Sequence, residues 1–114
     1  MADHADDGDE YDGHIFVYRG GRAPQHVTRA RIDRSVDVIE NNAFFNCEHL
    51  VHVETHDGIR RVGERAFYSC KLLRRINLPS VVEIGELAFF ECENLESVEF
   101  VDKLEIIGIG AFYE

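Results

Sequence analysis

Apolar and polar residues alternate along four short stretches, "VTRARI" (27–32), "LVHVET" (50–55), "LRRINL" (73–78) and "LESVEF" (95–100). On an extended backbone every second side chain points the same way. Ala30 and Ile32, Val53 and Thr55, Ile76 and Leu78, and Val98 and Phe100 therefore share one face of a short half-buried strand. Between the stretches a different pattern returns. Ala-Phe pairs stand at Ala43-Phe44, Ala66-Phe67, Ala88-Phe89 and Ala111-Phe112, at intervals of 23, 22 and 23 residues. An aliphatic residue precedes each Ala by four positions (Ile39, Val62, Ile84, Ile107), a cysteine follows the first three by four (Cys47, Cys70, Cys92), and a leucine by seven (Leu50, Leu73, Leu95).

A fixed period of this length signals stacked repeats, none of which can bury its apolar side without neighbours. The spacing of Ala43, Phe44 and Cys47 places three side chains on one face of a helical turn, too short to be stable unless that face is buried. The pattern predicts an α/β repeat solenoid with short parallel strands on one face and short helical or 3₁₀ turns on the other. The single 22-residue interval loses its residue between Leu78 and Ile84, where Pro79-Ser80 can tighten a bend. Gly63, Gly85 and Gly108 follow the aliphatic anchors, but Glu40 holds that position in the first unit. A positive φ there would strain Glu40 by about 1 kcal/mol, so either the site is permissive or the first unit bends differently.

Three segments follow. Residues 1–14, with six acids and no Lys or Arg, read as a disordered acidic tail. Residues 15–26 read as a capping strand and turn, and 27–114 as the solenoid, in units 27–50, 51–73, 74–95 and an incomplete 96–114. Leu104, Ile106, Ile107, Ile109 and Phe112 form a layer with no successor, which predicts a fragment of a longer array, a truncated chain or end-to-end self-association.

The unit "V..IG..AF..C..L..V.L", as in "VVEIGELAFFECENLESVEF" (81–100), resembles the BspA-type class of leucine-rich repeat over about residues 27–114. Proteins of this class occur on bacterial surfaces and in expanded sets in unicellular eukaryotes. The resemblance implies a curved solenoid used for protein binding or adhesion, without shared catalytic residues.

Charge narrows the partners. A net charge of −10 disfavours nucleic acid and anionic membranes. The start has no signal-peptide pattern and no stretch is long enough to span a membrane, so the expected location is the cytoplasm, or the nucleus, rather than outside the cell. The odd number of cysteines agrees with reduced thiols there. Their spacing suits a packed ladder instead of a metal site. No calcium loop, phosphate loop or nucleophile-base pair can be assembled, so no cofactor, no metal and no catalytic residue is expected, and the chain is read as a non-enzyme.

The constant positions build the core, and the variable outward strand residues are left for recognition. They fall into rows: Arg29, His52, Arg75, Ser97; then Arg31, Glu54, Asn77, Glu99; then Asp33, His56, Pro79, Val101. The candidate protein-binding face is Arg29, Arg31, His52, Glu54, His56, Arg75, Asn77 and Glu99, with Arg29, Arg31, His52 and Arg75 as its cationic part.

Overall fold

The computed structural model describes residues 11–100 and 103–113. Ten short strands run in the order β1 (Tyr11–Asp12), β2 (Ile15–Tyr18), β3 (Arg29–Ile32), β4 (Val38–Ile39), β5 (His52–Glu54), β6 (Arg61–Val62), β7 (Arg75–Asn77), β8 (Glu83–Ile84), β9 (Ser97–Glu99) and β10 (Ile106–Ile107). The alternating stretches become β3, β5, β7 and β9, stacked in parallel and in the expected register, with Ala30 beside Val53 and Ile76 beside Val98. Of their outward residues Arg29, His52, Glu54, Arg75, Asn77 and Glu99 are exposed and Arg31 and Ser97 half-buried, while Ala30, Val53 and Ile76 are buried.

Each turn of the solenoid, or coil, also carries a second two-residue strand. β4, β6, β8 and β10 form their own parallel ladder, pairing Ile39 with Val62, Val62 with Ile84, and Ile84 with Ile107. The aliphatic anchors thus belong to a sheet. A further inward column, Val36, Ile59 and Val81, is buried three residues before each anchor. The shortened coil keeps both ladders in register: β7 to β8 is one residue shorter than β5 to β6, and the difference lies around Pro79 and Ser80.

The third side holds turns, and no helix forms among the described residues. Left-handed residues interrupt the helical run at Asn42, Arg65 and Leu87 (φ 57–64°), with Gly110 in the same place, and again at Asn46, Ser69 and Glu91. Amides then divide by position. Those of Ala43, Phe45 and Cys47 close turns onto the carbonyls three residues back, while those of Asn42, Phe44 and Asn46 leave the coil and donate to Glu64, Ala66 and Tyr68 at 2.6–2.9 Å. The pattern repeats from Arg65, Phe67 and Ser69 to Glu86, Ala88 and Phe90, and from Leu87, Phe89 and Glu91 to Ile109, Ala111 and Tyr113. A helix directs all its amides along its own axis. Here every second amide is needed by the next coil, which is why the expected helical turn does not form.

Beneath this side Phe44, Phe67, Phe89 and Phe112 stack with ring centroids 5.1–5.2 Å apart and planes within 5°. A second stack, Phe45, Tyr68, Phe90 and Tyr113, runs beside it, and Arg22 lies over the Phe45 ring at the start. Each buried cysteine points its thiol at a carbonyl one coil back: Cys70 to Phe44 at 3.2 Å and Cys92 to Phe67 at 3.0 Å.

The glycine column answers to close approach, since none of Gly63, Gly85 and Gly108 has a positive φ. A Cβ on Gly85 would lie 2.7 Å from the Glu64 nitrogen and 2.8 Å from the Gly63 carbonyl carbon, and Gly63 and Gly108 are equally tight. Among the described residues Glu40 has no earlier coil beneath it. Where Gly63 donates to Ile39 and Gly85 to Val62, the amide of Glu40 donates to the hydroxyl of Tyr18, which in turn donates to the Gly21 carbonyl. The buried phenol stands in for a missing carbonyl, and its burial raises its pKa to about 12.

At this end β2 pairs in parallel with β3, and β1 folds back antiparallel on β2. Residues 1–10 of the expected acidic tail lie outside the described residues, but Tyr11 and Asp12 are ordered as β1, so that tail does not extend to residue 14. At the other end Ile106, Ile107, Ile109 and Tyr113 are more than half exposed. Among the described residues no helix is long and apolar enough to cross a membrane.

The close approach gives a stability prediction. Gly85→Ala forces a methyl against backbone that cannot rotate away, and lowers unfolding stability by about 1–3 kcal/mol in urea. Glu40→Ala, at the same position of the first coil, changes it by less than about 0.5 kcal/mol. Equal effects at the two positions would contradict the close-approach account.

Candidate functional site

Parallel stacking lines up the outward residues of the long-strand face. Arg29 is in register with His52, Arg31 with Glu54, Arg75 with Ser97 and Asn77 with Glu99. The expected rows are therefore present within each strand pair, at the coil spacing of about 4.8 Å.

Their charges are not equally available. Arg31 donates from Nε to Glu54 at 2.8 Å and from Nη1 to Asp12 at 2.9 Å, so two carboxylates already surround it. Its guanidinium pKa is raised by the hydrogen bonds to Asp12 and then Glu54. This neutralises the centre of the expected cationic patch and ties β1 to the sheet. Arg29 and Arg75 make no ion pair among the described residues. The arginines of this face without an ion pair among the described residues are accordingly Arg29 and Arg75, with the exposed His52 between them in the row.

His56 is held in the coil. Its Nδ1 accepts from the Gly58 amide at 3.0 Å, which leaves Nε2 to donate to the Asp33 carbonyl of the preceding coil at 2.9 Å. Both ring nitrogens serve the bend, which fixes the tautomer and removes the imidazole from the outward row. Asp33 itself is held below the usual carboxylate range, first by the Ser35 hydroxyl and then by its amide.

His52, Arg75, Asn77 and Glu99 come together with Ser97 around a shallow cavity of about 290 Å³, floored by Val53 and Ile76. A neighbouring cavity of about 240 Å³ is lined by Val51, His52, Arg74 and Arg75. The first spans β5, β7 and β9 and takes in the place where, among the described residues, β5 and β7 are not joined by a ladder. The alternation alone does not reveal that break. Its trace in the sequence is Thr55, the polar member of an inward column otherwise made of Ile32, Leu78 and Phe100.

The cysteine column offers no reactive chemistry. All three thiols are buried and unpaired. Burial pushes Cys47 up to about 11, Cys92 up to about 12, and Cys70 well above its ordinary value. They remain protonated donors, since the nucleophilic thiolate is the form that burial disfavours. Among the described residues no group of three or more His, Cys, Asp or Glu is placed to hold a metal ion.

Comparison with known proteins agrees with this architecture. A family model described as the BspA type leucine-rich repeat region, of six copies, matches residues 24–114. No curated protein and no solved structure matches the chain. The matched span takes in all four coils, with the long strands, second ladder and Ala-Phe turns described above. The chain belongs to the BspA-type leucine-rich repeat family.

Proposed function

We propose that this protein is a non-catalytic interaction module that binds a partner protein on the outward face of β3, β5, β7 and β9. Membership of a leucine-rich repeat family supports a binding scaffold as the general role. The observation that carries the specific reading is the row Arg29, His52 and Arg75, two of whose members are arginines without ion pairs among the described residues, in a chain of net charge −10. Isolated exposed cations add little to folding, whereas a row of them at fixed spacing favours and orients an acidic partner. The reading takes the partner to be a protein segment, and nucleic acid and anionic membranes are disfavoured by the overall charge.

A second reading concerns the last coil. Ile106 and Ile107 are 54% and 56% exposed, Ile109 is 83% exposed, and Phe112 and Tyr113 end the two aromatic stacks without a neighbour. An apolar layer of this kind favours burial, whether against further coils of the same protein or against a second copy of the chain.

Selection of a random peptide display library on the chain is expected to enrich acidic sequences. The double variant Arg29→Glu, Arg75→Glu is expected to lose that enrichment while its melting temperature moves by no more than about 3 °C, as for exposed substitutions. Enrichment of neutral or basic peptides, or enrichment unchanged in the variant, would count against the sheet face. For the second reading, sedimentation across a hundredfold concentration range should show a mass that rises with concentration and returns to monomer in Ile109→Asp. A monomer throughout rules out the second copy.

A further inference from the structure

The break between β5 and β7 coincides with a local change of hydrogen-bond partner. Across β7 and β9 the amide of Leu78 donates to the Glu99 carbonyl at 2.8 Å. The corresponding acceptor across β5 and β7 is the Asn77 carbonyl, and there it receives the Thr55 hydroxyl instead. A side chain has taken the acceptor that a backbone amide uses in the next coil, and the strands on either side are left without a ladder.

The cavity in that break is unevenly charged. His52 and Arg75 stand on its two lips, and both also line the neighbouring cavity beside Val51 and Arg74. Arg74 is held by Glu96, and Glu54 on β5 is held by Arg31. Glu99 is the acidic group among the lining residues, on β9. At the β5–β7 lip Arg75 makes no ion pair among the described residues, although its charge helps to lower the pKa of Glu96, whose main partner is Arg74; the His52 ring and the Asn77 amide lie alongside as hydrogen-bonding groups. Such a notch suits a compact planar anion on an apolar stem, because guanidinium pairs with carboxylate in a fork geometry.

We propose that the break between β5 and β7 seats an anchoring glutamate or aspartate from an extended acidic segment of a partner protein, with Arg75 as its main counter-charge and His52 and Asn77 beside it. This rests on the sheet-face reading and adds the point at which the partner anchors. Glu99 at the far side sets a polarity, disfavouring a second acid over β9. Arg29 lies two coils before Arg75, in register with His52, and receives the next acidic side chain on that side.

The test is a titration of the isotope-labelled chain, followed by NMR, with a decapeptide of alternating Ser and Glu and with its counterpart carrying Gln for Glu. The Glu peptide is expected to shift His52, Val53, Arg75, Ile76 and Asn77 most, and the Gln peptide to leave them in place. Arg75→Gln weakens binding about tenfold or more, as expected for one charge-assisted hydrogen-bonded pair, whereas Arg61→Gln on the second ladder changes it less than twofold. Arg75 is exposed, so its replacement leaves the spectrum of the core unchanged. If the Glu peptide shifts the sheet face but Arg75→Gln binds as tightly as the unaltered chain, the anchoring notch is overturned and the sheet-face reading stands. If neither peptide, or both equally, shifts that face, both readings fall.

Discussion

Backbone hydrogen bonding between successive coils is the constraint on which the rest of this structure depends. It runs on three sides: the long strands, the two-residue second ladder, and the alternate amides of the Ala-Phe turn. These ladders, with the long-strand one interrupted only between β5 and β7 among the described residues, set the spacing of the coils, and side chains must conform to it. The glycine column follows, because at this distance a Cβ would meet the backbone of the coil below. So do the near-parallel phenylalanine rings, which stack at the spacing the ladders set. In each inner turn two left-handed residues cost about 1–2 kcal/mol each, and three inter-coil hydrogen bonds offset this at a net of about 0.5–1.5 kcal/mol each. Those terms nearly cancel, leaving burial of the phenylalanine, about 1.5–3 kcal/mol, to decide that the turn forms.

The two ends meet this constraint differently. At the first coil a different piece of chain satisfies it: Tyr18 supplies an acceptor for Glu40, Ala23 donates to the Ala43 carbonyl, and Arg22 covers the outer aromatic stack. At the last coil the same surfaces are presented to solvent. The outward positions of the face between the ends are free to vary because the inward positions carry the stability. They can do so without disturbing the ladders, and that is how a break at Thr55 and an arginine without an ion pair among the described residues, Arg75, can be tolerated in the same coil pair.

The strands and their register were legible in the alternation, including the shortened coil around Pro79. The second ladder was not, since strands of two residues are too short to show a period. The helical expectation failed for a related reason: Arg65, Leu87 and Glu91 adopt left-handed backbone without the Gly or Asn that usually marks it, and the hydrogen bonds that stabilise them belong to the next coil. The glycine column was visible, but its cause was ambiguous until the neighbouring backbone was placed. For the candidate face, row membership could be read directly, whereas availability could not. Asp12 came from a segment expected to be disordered and yet neutralises Arg31, and His56 is taken up by a bend whose partners are Gly58 and the Asp33 carbonyl.

The central claim is that the turn side is bound from coil to coil as firmly as the sheets. Native-state hydrogen exchange of interior amides tests it most directly. Phe67 and Ser69, which donate across coils from the turn, should exchange with the same denaturant dependence as Gly85 and Val82, which donate across the second ladder, all opening through one cooperative unfolding. Rapid exchange of Phe67 and Ser69 under conditions where Gly85 and Val82 stay protected would show the turns to be loosely attached, and would contradict the account.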